Sequence, residues 1–240
     1  MHLDPSTRLV ALTGAGISAE SGIKTFRDGD GLWEQHRVED VATPEAFIRD
    51  PGLVWRFYIE RFRQARDAKP NQAHTALASL EAYLGNNYHL ITQNVDGLHS
   101  RAGSQRLTEM HGSLDRCLCQ SCGKTHPMPV ELDGEKLPAC GKCGGLLRPD
   151  IVWFGEMPYH LDRIQSLLRL CDVFLLVGSS GVVYPAAGFI QTAKYLGART
   201  IAVNLQPTEK THFVDEFYQG KAGEILPRLV STWIGNSPAQ

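Results

Sequence analysis

The sequence predicts an α/β protein with an open, doubly wound parallel sheet and a smaller domain inserted into it. Three observations lead there. Four short, almost continuously apolar segments alternate with helical ones, as expected of parallel strands buried on both faces. The first of them runs straight into a Gly-x-Gly turn. Two Cys-x-x-Cys pairs stand close together in a stretch that breaks the alternation.

The four strands are expected at Leu9–Thr13 before Gly14, Tyr88–Thr92 before Gln93, Val173–Val177 before Gly178, and Thr200–Val203 before Asn204. Each ends at glycine or a polar residue, which marks the turn. Helices are expected at Pro44–Arg49, Leu53–Ala68, Ala73–Leu84, Leu161–Leu170, Ala186–Leu196 and Ile225–Ile234. Two stretches interrupt the rhythm. One, from about Trp33 to Pro70, is helical and rich in Arg, Phe and Tyr; the other, Ser113 to Pro149, is rich in Cys, Gly and Pro. Residues 1–34, 71–112 and 150–240 are therefore assigned to the sheet domain, 35–70 to a helical insertion and 113–149 to a cysteine module.

Composition narrows the function. The chain has 240 residues, 42% of them hydrophobic, and a net charge of −2, which disfavours an electrostatic nucleic-acid binder. No apolar run is long enough to span a membrane. Met1 to Thr7 lacks the charged and apolar regions of a secretion signal. A cytoplasmic location is expected, and with no composition signal for assembly a monomer is the expectation.

Leu9–Thr13 leads into Gly14-Ala15-Gly16-Ile17-Ser18-Ala19, a G-x-G-x-x-A dinucleotide fingerprint in the required position after a strand. Glycines there let backbone N–H groups approach a diphosphate, assisted by the following helix N-terminus. Taken alone, the motif is also compatible with a plain tight turn. A hydride-transfer enzyme should next show a strand ending in an acidic residue. Instead the chain runs Thr25-Phe26-Arg27-Asp28-Gly29-Asp30-Gly31-Leu32-Trp33, a loop suited to folding over a ligand. The remaining strands end in Gln93-Asn94-Val95-Asp96, Gly178-Ser179-Ser180 and Asn204-Leu205-Gln206. Ligands of open α/β sheets lie beyond the carboxyl ends of strands, so these groups are expected to line one crevice.

Cys119-x-x-Cys122 is followed after seventeen residues by Cys140-x-x-Cys143. Four thiolates at this spacing suit tetrahedral zinc and leave no coordination position for substrate, so the metal is expected to be structural. Disulfides are disfavoured without a secretion signal. Cys171 is assigned to the core, and Cys117 has no assigned role.

His111-Gly112 lies between the crevice segments and the cysteine module, where an imidazole with an ordinary pKa near 6.5 can accept a proton at neutral pH. Tyr58 and Arg61, three apart on one helix, share a face and together suit a carboxylate. Arg56, Arg63 and Arg66 crowd the same helix, so a solvated charged face is the competing reading.

These segments together resemble the sirtuins, most closely the bacterial CobB-type members of class III. The resembling segments are Gly14–Trp33, Thr92–His99, Met110–Ser113, the four cysteines, Arg148–Glu156, Gly178–Phe189 and Val203–Thr208. The resemblance implies a Rossmann-like domain, a structural zinc and NAD as co-substrate. It implies a diphosphate site at Gly14, Ala15, Gly16, Ser179 and Ser180, with Gly178 and Ala19 adjoining. Adenosine would lie near Asn204, Leu205, Gln206 and Ala222. Gln93, Asn94, Asp96, Ser18, Phe26, Arg27 and Trp33 would surround the rest of the nucleotide. It implies His111 as general base, and Val152, Phe154, Gly155 and Val183 in the segments that pair with an acylated-lysine substrate. The products would be free lysine, nicotinamide and 2′-O-acyl-ADP-ribose. Tyr58 and Arg61 match the pair that recognises acidic acyl groups, implying desuccinylation beside deacetylation. Ser179 stands where the family usually has Thr, and Gln206 where close relatives often have Glu. Protein mono-ADP-ribosyl transfer and a non-enzymatic NAD-sensing zinc module remain the alternatives.

Overall fold

The computed structural model describes residues 1–24, 36–134 and 136–235, with the backbone alone of 32–33. Its main sheet has six strands: β1 (Leu9–Thr13), β2 (Tyr88–Thr92), β3 (Leu107–Glu109), β4 (Val173–Val177), β5 (Arg199–Asn204) and β6 (Glu216–Gln219). The spatial order is β6-β5-β4-β1-β2-β3, and every pairing is parallel. Strand order reverses between β1 and β4, as in the doubly wound dinucleotide fold, and a crevice opens beyond the carboxyl ends at such a point.

β1, β2 and β4 are buried along their whole length, because helices cover both sheet faces. Leu9 and Ala11 point into one core with α2 (Gln72–Leu84) and α5 (Ala222–Trp233); Val10 and Leu12 point into another with α3 (Leu161–Leu170) and α4 (Phe189–Tyr195). That two-residue alternation, apolar on both sides, makes the strands read as unbroken hydrophobic runs.

The sequence reading found four of these strands. β3 and β6 were not assigned, and β5 is one residue longer at each end than expected. The expected helix Ala186–Leu196 is divided: Ala186–Gly188 is 3-10 and only Phe189–Tyr195 is α-helical.

The smaller domain has one core of its own. α1 (Pro51–Asp67) packs on an antiparallel sheet of Gly112–Cys119, Thr125–Pro127 and Leu147–Ile151, and the short helices Val38–Val41 and Pro44–Arg49 pack against α1. Trp55, Phe57 and Tyr58 of the helix meet Leu114, Cys117, Leu147 and Trp153 there. Among the described residues no helix is long and apolar enough to cross a membrane.

Candidate active site

The turn after β1 sits against the exit of β4. Gly14 N–H donates to the Val177 carbonyl (3.0 Å) and Gly16 N–H to the Gly178 carbonyl (2.9 Å). A Cβ at Gly16 would lie 2.7 Å from the Gly178 oxygen, so the glycine is required by this backbone approach. The segment that follows, Ala15–Ser21, is a seven-residue 3-10 helix rather than an α-helix. The fingerprint glycines thus have a packing role that the sequence reading did not assign.

The ends of β1, β2, β4 and β5 converge as expected. Gln93 donates from Nε2 to Ser179 Oγ (3.1 Å), and Asn204 Nδ2 donates to the Ser179 carbonyl (2.9 Å). Ser18 Oγ donates to Asp96 Oδ2 (2.7 Å) and accepts from Asn94 Nδ2 (3.1 Å), all three side chains being buried. Burial pushes the Asp96 carboxyl up, opposed by hydrogen bonds from Leu98 N–H and Ser18 and by the nearby Arg101 charge. Leu205 and Gln206 are exposed at the β5 end, Ala222 is buried at the start of α5, and Ala15 and Ser180 are half-buried. Ala19 is exposed beside the turn. Phe26 and Arg27 lie outside the described residues, as does the side chain of Trp33.

Behind this polar cluster stand two residues that the sequence reading missed. His74, fully buried on α2, places Nε2 3.5 Å from Ser18 Oγ. His99 places Nε2 2.9 Å from Thr13 Oγ1, and the two imidazoles are 4.8 Å apart. Burial pushes His74 down to about 4 and His99 down to about 3, so both are neutral near pH 7. A histidine on the apolar stripe of Ala73, Ala76 and Leu77 is the signal that marks His74 as buried.

His111 lies one residue beyond Met110, whose N–H donates to the Thr92 carbonyl, and its own carbonyl accepts from Val152 N–H (2.9 Å). Its Nδ1 is 3.1 Å from the Gln93 carbonyl. A carbonyl only accepts, so Nδ1 carries the hydrogen and Nε2 keeps its lone pair. Burial lowers the His111 pKa, against the raising effect of that hydrogen bond. The imidazole is therefore neutral at pH 7 and able to take a proton. Gly112, with φ +86°, follows at once; a Cβ there would stand 2.0 Å from the Asp150 carbonyl oxygen.

Val152 is half-buried, Phe154 and Gly155 are exposed, and Val183 is half-buried. Tyr58 is fully buried, and its oxygen accepts from Trp153 Nε1 (3.0 Å). Of the four arginines on α1, Arg56, Arg63 and Arg66 are exposed and Arg61 alone is buried. Arg61 pairs with Glu60 (2.8 Å), bonds Gln64 and stacks 4.8 Å from the Phe57 ring. Its Nη1, wholly inaccessible, finds no hydrogen-bond partner among the described residues. An unsatisfied buried guanidinium N–H is costly, and a bound carboxylate would satisfy it.

The sulfurs of Cys119, Cys122, Cys140 and Cys143 lie within 4.8 Å of one another, with Cys119–Cys143 at 3.5 Å and Cys122–Cys140 at 3.8 Å. Zn–S bonds of about 2.3 Å in a tetrahedron separate sulfurs by about 3.8 Å. The donor set fits zinc. Neither pair is at disulfide distance, and Cys117, buried in the module core, is a free thiol away from the four.

Comparison with known proteins gives one consistent answer. The model of the Sir2 family matches residues 14–185. An NAD-dependent protein deacylase of Bdellovibrio bacteriovorus is 52% identical over 237 residues, covering 98% of this chain and all of the relative. NAD-dependent protein deacylase 2 of Pyrobaculum aerophilum is 53% identical over 95% of this chain and 92% of its own. A solved Sir2 homolog–NAD complex is 47% identical, with a TM-score of 0.86 over 93% of this chain and 88% of that one. A Sir2–p53 peptide–NAD+ structure is 34% identical, with a TM-score of 0.81 over 93% of this chain and 92% of that one.

Proposed function

The chain belongs to the Sir2 family and is an NAD-dependent protein deacylase; we propose that it removes acidic acyl groups, succinyl among them, as well as acetyl groups from lysine. The observation that carries the acyl preference is the buried Arg61 guanidinium, with one nitrogen unsatisfied among the described residues, a helical turn from Tyr58. A carboxylate-bearing acyl chain supplies what that nitrogen lacks, whereas an acetyl group does not.

In the proposed assignment, Gly14, Ala15, Gly16, Ser179 and Ser180 hold the diphosphate, and Asn204, Leu205, Gln206 and Ala222 hold the adenosine. Gln93, Asn94, Asp96 and Ser18 surround the nicotinamide ribose. Bound NAD supplies the electrophilic sugar carbon from which nicotinamide departs. His111 accepts a proton at Nε2 from a ribose hydroxyl, its tautomer fixed by the Gln93 carbonyl. Val152, Phe154, Gly155 and Val183 bind the substrate backbone by strand addition; a Sir2 protein similar to this chain has been solved with a p53 peptide and NAD+. The four cysteines hold a zinc that supports the module and takes no part in the reaction.

Two substitutions test the reading. His111→Ala should keep the fold and NAD binding and lower turnover about 10²–10⁴-fold; near-normal turnover would remove His111 from the chemistry. Arg61→Met should collapse the ratio of desuccinylation to deacetylation, and an unchanged ratio would end the acidic-acyl assignment. Mass spectrometry of both reactions should find nicotinamide, 2′-O-acyl-ADP-ribose and free lysine. ADP-ribose on protein without deacylated peptide would favour ADP-ribosyl transfer instead.

A further inference from the structure

Tyr58 does not stand alone at the acyl receptor. Its oxygen is met by the indole N–H of Trp153 at 3.0 Å, both residues being buried. Trp153 belongs to the segment that carries Val152 and Phe154, so this hydrogen bond joins that segment to α1.

The indole is held in place from several directions. The Arg148 guanidinium lies 3.5 Å from its ring centroid, a close cation–π stack. Arg148 is itself locked by a two-point ion pair with Glu156 (2.6 and 2.8 Å) and by a bond to the Ile151 carbonyl (2.8 Å). Glu156 also accepts the Trp153 backbone N–H (2.9 Å). Phe47 packs 5.3 Å from the indole. On either side, Val152 N–H donates to the His111 carbonyl and Phe154 N–H to the Ala42 carbonyl. The indole N–H therefore has one direction available, and it points at the phenol oxygen.

A phenol oxygen that accepts a hydrogen on one side turns its own hydrogen to another. Burial raises the Tyr58 pKa well above its ordinary value, so the hydroxyl stays protonated and remains a donor at neutral pH. Arg61, one turn along the same face, supplies the charge.

We propose that Trp153 is a positioning residue for acyl selectivity: its indole N–H, aimed by Arg148 and Glu156, orients the Tyr58 hydroxyl to donate to the carboxylate of an acidic acyl-lysine. This rests on the acidic-acyl reading above and adds to it the group that sets the phenol's direction.

The test is kinetic, on one peptide sequence carrying either succinyl-lysine or acetyl-lysine, at saturating NAD. Trp153→Phe keeps an aromatic ring for Arg148 and Phe47 but removes the N–H. Loss of one such hydrogen bond should lower the succinyl-to-acetyl ratio of kcat/KM about tenfold, through KM for the succinyl peptide. Equal loss on both peptides, or an unchanged ratio while Arg61→Met still collapses it, overturns the role of Trp153. If Arg61→Met itself leaves the ratio unchanged, the acidic-acyl reading fails first and this inference with it. The link to Tyr58 has its own check: in a Tyr58→Phe background, Trp153→Phe should lower the ratio no further, and an additional loss overturns the link. Should Trp153→Phe fail to fold, the wild-type protein labelled with ¹⁵N indole gives the answer. The Trp153 Nε1–H resonance should move with the succinyl peptide and not with the acetyl peptide; an equal response to both overturns the proposal.

Discussion

The six-stranded sheet and the three-stranded sheet beside it reach order by different routes. In the first, β1, β2 and β4 are buried end to end between two apolar layers, and cohesion comes from removing hydrocarbon from water. In the second, Gly112–Cys119 is only intermittently buried and Thr125–Pro127 is mostly exposed. There the apolar core shared with α1 is supplemented by a cluster of four thiols whose spacing fits a structural zinc. The difference teaches that the crevice and the module can be perturbed separately, although they meet at His111.

Metal removal should separate them most strongly, because ligation in structural sites of this kind contributes on the order of 10 kcal/mol. Chelation is expected to strip hydrogen-exchange protection from Gly112–Cys119 and Leu147–Ile151 while Leu9–Thr13 and Val173–Val177 keep theirs. A native melting profile after complete zinc loss would break the comparison.

Acid should act on the other region. His74 and His89 have pKa values pushed down to about 4 by burial, and His99 to about 3; the nearby positive groups add to the effect at His74 and His89. Unfolding returns each to about 6.5, so between roughly pH 6.5 and 4 the unfolded chain binds more protons and stability falls as pH falls. Three full protons correspond to a slope of about 4 kcal/mol per pH unit, an upper bound for these three imidazoles; the lowered His111 pKa adds to it and the raised Asp96 pKa partly offsets it at the acid end. Stability from urea titrations at pH 7, 6 and 5 checks the sign; a protein more stable at pH 5 than at 7 would contradict it.

Gly16→Ala is the smallest and most local change. Its Cβ, 2.7 Å from the Gly178 oxygen, should cost about 1–3 kcal/mol and weaken NAD binding, with zinc content unaltered. Calorimetry of NAD binding and a metal assay on the same sample would detect a departure from either half.

The two regions also differed in how plainly the sequence announced them. Strands with both faces buried show as apolar runs, so β1, β2 and β4 were legible to the residue. β3 and β6 lie at the sheet edges, are short and partly exposed, and carry Glu109, Glu216 and Gln219; nothing in Leu107–Glu109 or Glu216–Gln219 distinguishes them from loop. The thiol spacing made the metal set readable without a fold. The His74–His99 pair was not readable, since residues 25 apart in the chain meet only after α2 packs beside the end of β2. Arg61 lies between these cases. Four arginines on one helix looked alike, yet Val54, Tyr58, Arg61 and Ala65 recur at helical spacing, and that buried stripe selects Arg61.

Gly112 has a further consequence. Two main chains cross beside it with no room for even a methyl group, and the imidazole of the preceding residue takes its bearing from that crossing. The aim proposed for the His111 imidazole is thus inherited from bare backbone. A position with no functional group of its own governs where the imidazole proposed as proton acceptor points, and Gly112→Ala should disable the enzyme while leaving every atom of the proposed ligand contacts in the sequence intact.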